Sequence, residues 1–199
     1  ELISEEKREI IKILTNISNE LRPRIPEMLV SYDFLGQIDF LRAKALFAID
    51  TDCTLPKITN DTIIDWSWAK HPILFLNHRA NGKEVVPLDI SLDKSRRILV
   101  ISGPNAGGKS VCLKTVGLLQ YMLQCGMLVP LHPSSQMGIF ENIFLDIGDE
   151  QSIENDLSTY SSHLTNMKQF AKNCNEKSLL LVDEFGSGTE PKIGGAIAE

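Results

Sequence analysis

A chain of 199 residues, 43% of them hydrophobic, can bury a real core. That excludes a disordered tail and fits one good-sized domain or a small domain with an appendage. The net charge of −6 repels a phosphate backbone, so this segment on its own makes a poor nucleic-acid binder. The cysteines (Cys53, Cys112, Cys125, Cys174) are scattered without a C-x-x-C pair, and His71, His78, His132 and His163 lack ligand spacing, which argues against a disulfide framework and a zinc site.

From Leu2 to Leu21, apolar residues recur at Ile10, Leu14, Ile17 and Leu21 and predict a helix with one apolar face. Pro23 and Pro26 break it. A second helix is predicted from about Pro26 to Asp50, with Leu35, Ile38, Leu41, Ala45 and Ala48 on one side. Two long helices joined at prolines read as an antiparallel arm or as an ordinary helical subdomain. Residues 1–55 are therefore expected to form a helical segment ahead of a second domain at 56–199. The chain begins at Glu1 within one helical pattern and stops at Glu199 within another, so it is expected to be a fragment of something longer.

Thr51 to Asn60 reads as a connector. Ile63 to Trp68, His71 to Leu74 and Val85 to Ile90 read as short strands, with a turn at Asn81-Gly82. The basic cluster Lys94-Ser95-Arg96-Arg97 reads as a solvated turn before the apolar strand Ile98-Leu99-Val100-Ile101.

That strand leads into Gly103-Pro104-Asn105-Ala106-Gly107-Gly108-Lys109-Ser110, which fills G-x-x-x-x-G-K-[ST], and a helical pattern follows from Val111. Strand, loop and helix in this order make a phosphate-binding loop. The glycines turn backbone N–H groups inward, and the helix start adds its partial positive charge. Lys109 is expected to reach the β- and γ-phosphates and Ser110 to ligate Mg²⁺, with Val111 in the helix start beside them.

The helix is predicted over Lys109 to Gln124, capped at Gly126, with Cys112 and Cys125 packed in the core. Met127 to Val129 and Ile139 to Ile147 read as strands, and Ser158 to Asn173 as a helix whose hydroxyl-rich start is a second anion site. The apolar strand Leu179-Leu180-Leu181-Val182 ends in Asp183-Glu184. Asp183 would hold Mg²⁺, and Glu184 would orient or deprotonate an attacking water. Strands alternating with helices predict an α/β fold with a largely parallel sheet. The order of phosphate loop, hydroxyl-rich helix start and acidic strand end resembles that of ABC-type ATPases, P-loop NTPases.

The phosphate loop resembles that of the MutS family, as does Asp183-Glu184-Phe185-Gly186-Ser187-Gly188-Thr189. Asp146-Ile147-Gly148-Asp149-Glu150-Gln151-Ser152-Ile153, Leu157-Ser158-Thr159-Tyr160-Ser161-Ser162-His163 and Glu190-Pro191 are most similar to its recombination-suppressing bacterial branch. The resemblance runs from about Asp65 to Glu199 and implies ATP, Mg²⁺ and a homodimer in which Ser158 and Thr159 reach the partner's nucleotide. It implies Asn105 against the γ-phosphate, one of Asp149, Glu150 or Gln151 (Gln151 foremost) near Mg²⁺, and residues 186–189 coupling the two sites. Adenine would pack near Val85, Val86 and Pro87, aliphatic here where mismatch-repair relatives tend to have an aromatic. The implied function is ATP hydrolysis driving a DNA clamp outside this segment, in recognition of mismatches or recombination intermediates, with a nuclease domain possible elsewhere in the parent. A family histidine on the next strand lies beyond Glu199. The rival expectations are another ABC-type DNA-repair ATPase, disfavoured by the short Lys109-to-Asp183 spacing, and a non-hydrolysing nucleotide sensor. A cytoplasmic protein without a membrane partner is expected, since neither a signal peptide nor a membrane-length apolar run is seen.

Overall fold

In a computed structural model, residues 2–104, 107–147 and 156–183 are described, the last stretch by backbone alone through residue 162. The chain divides into two units, residues 1–46 and 47–199.

The first unit is helical. Helix α1 (Leu2–Leu21) carries the anticipated apolar face, and α2 (Ile25–Asp50) follows after a single 3-10 turn, Arg22–Arg24. Leu21 and Ile25 both keep right-handed helical angles, and Pro23 sits where a first-turn N–H has no partner to lose. The prolines therefore tighten the helical path without reversing it. The two helices do not pack side by side, which corrects the antiparallel arm. Every residue from 2 to 43 is exposed. On α2 the apolar side chains, among them Met28, Leu29, Phe34, Leu35, Ile38 and Phe40, are spread around the axis and do not form one stripe.

The second unit is built around α4 (Lys109–Gln124), which buries Val116, Leu119, Met122 and Leu123. Each such side chain contributes about 1.5–3 kcal/mol on leaving water. They meet Ile64, Trp66 and Ala69 of β2 (Ile64–Ala69), Ile90 of β3 (Leu88–Leu92), Met137 of β4 (Gln136–Gly138) and Leu179 and Leu181 of β6 (Ser178–Val182) in one core. One sheet runs β1-β4-β2-β3, where β1 is Lys57–Thr59. In it β1 and β4 are parallel, and β2 is antiparallel to both β4 and β3. A second, parallel pair joins β5 (Asn142–Asp146) to β6, with Asp146 opposite Val182. The architecture is thus α/β, but the larger sheet is mixed, not largely parallel.

Several local expectations change. His71 to Leu74 does not extend as a strand. Pro72 opens helix α3 (Pro72–Ala80) with its fixed φ, and His71 caps it by accepting the Leu74 N–H through Nδ1 at 3.4 Å. Met127 to Val129 makes only an isolated bridge, Val129 to Thr54. The apolar stretch around Ile139 yields β5 alone, with β4 just before it. Ile98 to Ile101 forms no strand, because among the described residues nothing supplies a ladder to it, and Ile98 and Val100 are 86% and 82% exposed. Cys112 is half-buried and Cys125 exposed, so neither sits in the core, and none of the four cysteines forms a disulfide. Gly126 does end α4, at φ +70°.

Two contacts fix α4. Gln120, fully buried, donates from Nε2 to the Gly138 carbonyl at 2.8 Å. Gln124 brackets Phe140 by accepting its N–H (3.0 Å) and donating to its carbonyl (3.1 Å). Two turns into α4, Gly117 lies directly on the β5–β6 pair. A Cβ there would stand 3.0 Å from Leu181 Cδ1 and 3.2 Å from Leu145 Cδ2. Helix α5 (Asp156–Asn173) also packs on β5, where the Phe144 and Phe170 rings lie 5.1 Å apart.

A Gly117→Val substitution is expected to wedge α4 off the strands and destabilise the second unit by about 1–3 kcal/mol. Urea unfolding reads this as a lower midpoint with an unchanged slope.

Candidate nucleotide-binding site

The glycine loop is closed by its own backbone. The Gly107 N–H donates to the Pro104 carbonyl at 2.9 Å, and the Cys112 N–H to the Gly108 carbonyl at 2.9 Å. Gly108 is the N-cap of α4 at φ +81°, ψ +16°, a left-handed conformation that only glycine adopts cheaply, and among the described residues no side chain caps the helix. The start of a helix carries a partial positive charge, which favours an anion at this end of α4. Lys109 Nζ donates back to the Gly103 carbonyl at 2.5 Å. The Ser110 hydroxyl is half-buried on the same turn, and Val111 is largely exposed. Asn105 and Ala106 lie outside the described residues.

Helix α4 rests on the strand that carries the predicted acid. Leu181 under Gly117 is two residues before Asp183, and Leu145 is the residue before Asp146. At 1.5 Å rise per residue, Ser110 lies about 10 Å along the helix axis from that contact. Asp183 follows β6 immediately, half-buried, and its N–H donates to the Asp146 carbonyl at 2.8 Å. Ser158 and Thr159 fall in the first turn of α5, where the backbone alone is described. Glu184, Asp149, Glu150, Gln151 and residues 186–189 lie outside the described residues. Val86 is 90% exposed in the loop between α3 and β3, flanked by half-buried Val85 and Pro87.

The basic cluster is occupied within its own unit. Lys94 pairs with Asp61 at 2.8 Å, Arg96 with Asp93 at 3.2 Å, and Arg97 donates to the Glu176 carbonyl at 3.5 Å. The Asp93 carboxylate also accepts the Ser95 and Arg96 N–H groups, which makes this a tight, solvated turn. The imidazole of His71 is held below its ordinary pKa by burial and then by the Lys114 ammonium on α4. Burial pushes the Cys112 thiol up, away from the reactive thiolate.

A polar cluster joins β5 to α5. Asp146, 6% exposed at the end of β5, has both carboxylate oxygens engaged by α5. His163 Nδ1 lies 2.7 Å from Oδ2, and Asn166 Nδ2 donates to Oδ1 at 2.9 Å. The available signal was an acid closing an apolar strand, together with two polar residues three apart on one face of a following helix.

A glycine-turn helix laid on a parallel strand pair that runs into Asp146 and Asp183 defines an α/β domain. Residues 99–199 match the family model for MutS domain V. The chain is 45% identical over 197 residues to an Endonuclease MutS2 of Finegoldia magna, covering 99% of this chain and 24% of that protein. It is 42% identical over 195 residues to Endonuclease MutS2 of Carboxydothermus hydrogenoformans, covering 98% and 24%. With Endonuclease MutS2 of Clostridium tetani it shares 43% over 198 residues, covering 100% and 24%. The chain belongs to the MutS family and is of its MutS2 type. It spans about a quarter of the length of these relatives.

Gly108→Ala is expected to cost about 1–2 kcal/mol, because it forces a Cβ into left-handed backbone. Thermal unfolding without nucleotide should show a lowered midpoint, and Gly108→Asn should lose less, since asparagine tolerates that region better.

Proposed function

We propose that this chain is the ATPase module of a MutS2-type DNA-maintenance protein, with ABC-type P-loop topology and a helical segment ahead of it. The observation that carries the reading is the left-handed glycine turn at the start of α4, bearing Lys109 and Ser110, on a helix seated against the strand that runs into Asp183. The donor set fits a triphosphate with its magnesium ion: main-chain amides and an ammonium for the phosphates, a hydroxyl and a carboxylate for the metal.

In this reading the phosphates lie over the α4 start, and Lys109 exchanges the Gly103 carbonyl for phosphate oxygens. Ser110 and Asp183 would hold Mg²⁺, with Gln151 near it, and the ion would supply positive charge beside the phosphates. Glu184 aligns water for in-line attack and accepts its proton. Asn105 lies against the γ-phosphate, and Val86 with its neighbours takes the base. Ser158 and Thr159 complete the site of a second copy, so turnover belongs to a homodimer. The acidic charge and the occupied basic cluster leave DNA contact to other parts of the longer protein. Relatives named as endonucleases support a nuclease there as well.

Lys109→Ala should weaken ATP binding about a hundredfold or more, read by calorimetric titration. Glu184→Gln should keep ATP affinity while slowing phosphate release about 10²-fold or more, and should favour the dimer in sedimentation. Normal ATP binding by Lys109→Ala would reject the site. An absence of turnover by the full-length protein, with and without DNA, would reduce it to a nucleotide sensor.

A further inference from the structure

Burying a carboxylate is costly unless its oxygens are satisfied, and Asp146 is satisfied in a way that joins two parts of the domain. Its carboxylate is held by His163 and Asn166 of α5, and its carbonyl takes the Asp183 N–H. One residue thus bonds the helix that begins near Ser158 to the residue that ends the acidic strand. His163 stands about one helical turn beyond Thr159, a stiff lever arm of about 6 Å. His163 thus connects α5 to Asp146, and Asp146 shares a backbone hydrogen bond with Asp183.

We propose that Asp146, with His163 and Asn166, is a positioning unit that couples the two nucleotide sites of a dimer. Engagement of the α5 start with a nucleotide held by the partner sets α5, and the Asp146 bonds carry that setting to the Asp183 edge of the protomer's own site. None of the three touches nucleotide. They act on turnover and association, and leave nucleotide capture by Lys109 and the α4 start intact. The inference rests on the ATPase reading above.

The test uses the full-length protein with His163→Ala, His163→Gln and Asn166→Ala, alongside Lys109→Ala. Steady-state phosphate release, equilibrium ATP binding and ATP-dependent association are measured for each. Coupling predicts that His163→Ala lowers kcat about tenfold or more and loses ATP-dependent association, while ATP affinity stays within about threefold. His163→Gln, whose amide can still donate to Asp146, should recover at least half the rate. Asn166→Ala should shift the same quantities by less, and it carries the test should His163→Ala not fold. Wild-type kcat and association in His163→Ala would overturn the proposal. So would parallel loss of affinity, rate and thermal stability, which marks a purely structural role, and so would failure of glutamine to rescue. If the unsubstituted protein has no turnover, or Lys109→Ala binds ATP normally, the underlying site reading falls instead, independently of how the His163 variants behave.

Discussion

The approach of α4 to the β5–β6 pair at Gly117 is the constraint on which the second unit depends. A residue without a side chain lets helix backbone settle onto Leu145 and Leu181. The same helix carries the glycine turn at one end and the Gln120–Gly138 and Gln124–Phe140 bonds near the other. The helix is held at three places along its length by groups that cannot shift independently. A loop proposed to present amides to an anion without reorganising would need such a base.

Most helices were legible because their signals are local. The period of α1, the limits of α4 with its glycine cap, and α5 all follow from apolar spacing and end residues. Strands were less legible, because a strand exists only through its neighbours. Leu179 to Val182 found β5 and became β6, whereas Ile98 to Val100, equally apolar, found no partner among the described residues and stays exposed. The His71-Pro72 pair was misread for the opposite reason. Proline ends strands and starts helices, and the capping imidazole settled which of the two occurred.

The candidate site was legible as motif and only partly as geometry. Lys109, Ser110 and Asp183 could be named from spacing, and the loop conformation at Gly108 could be expected from glycine itself. The Asp146–His163–Asn166 cluster could not, because its members come from two elements and meet only once α5 folds back over β5. Buried polar networks of this kind carry no periodicity. Their trace in sequence is a few polar residues at places where apolar ones would pack as well.

The bond from Lys109 to the Gly103 carbonyl has a further consequence. An ammonium already matched to a carbonyl is not an open trap for every passing anion. A newcomer must surrender its own hydration and displace an existing partner, so the exchange favours species that offer several charged oxygens at once. Chloride or a lone carboxylate gains little from such a swap, while a polyphosphate chain gains at each oxygen. Under the proposed function, this resting self-occupancy would set a threshold that filters visitors by charge density before any feature of the base is consulted.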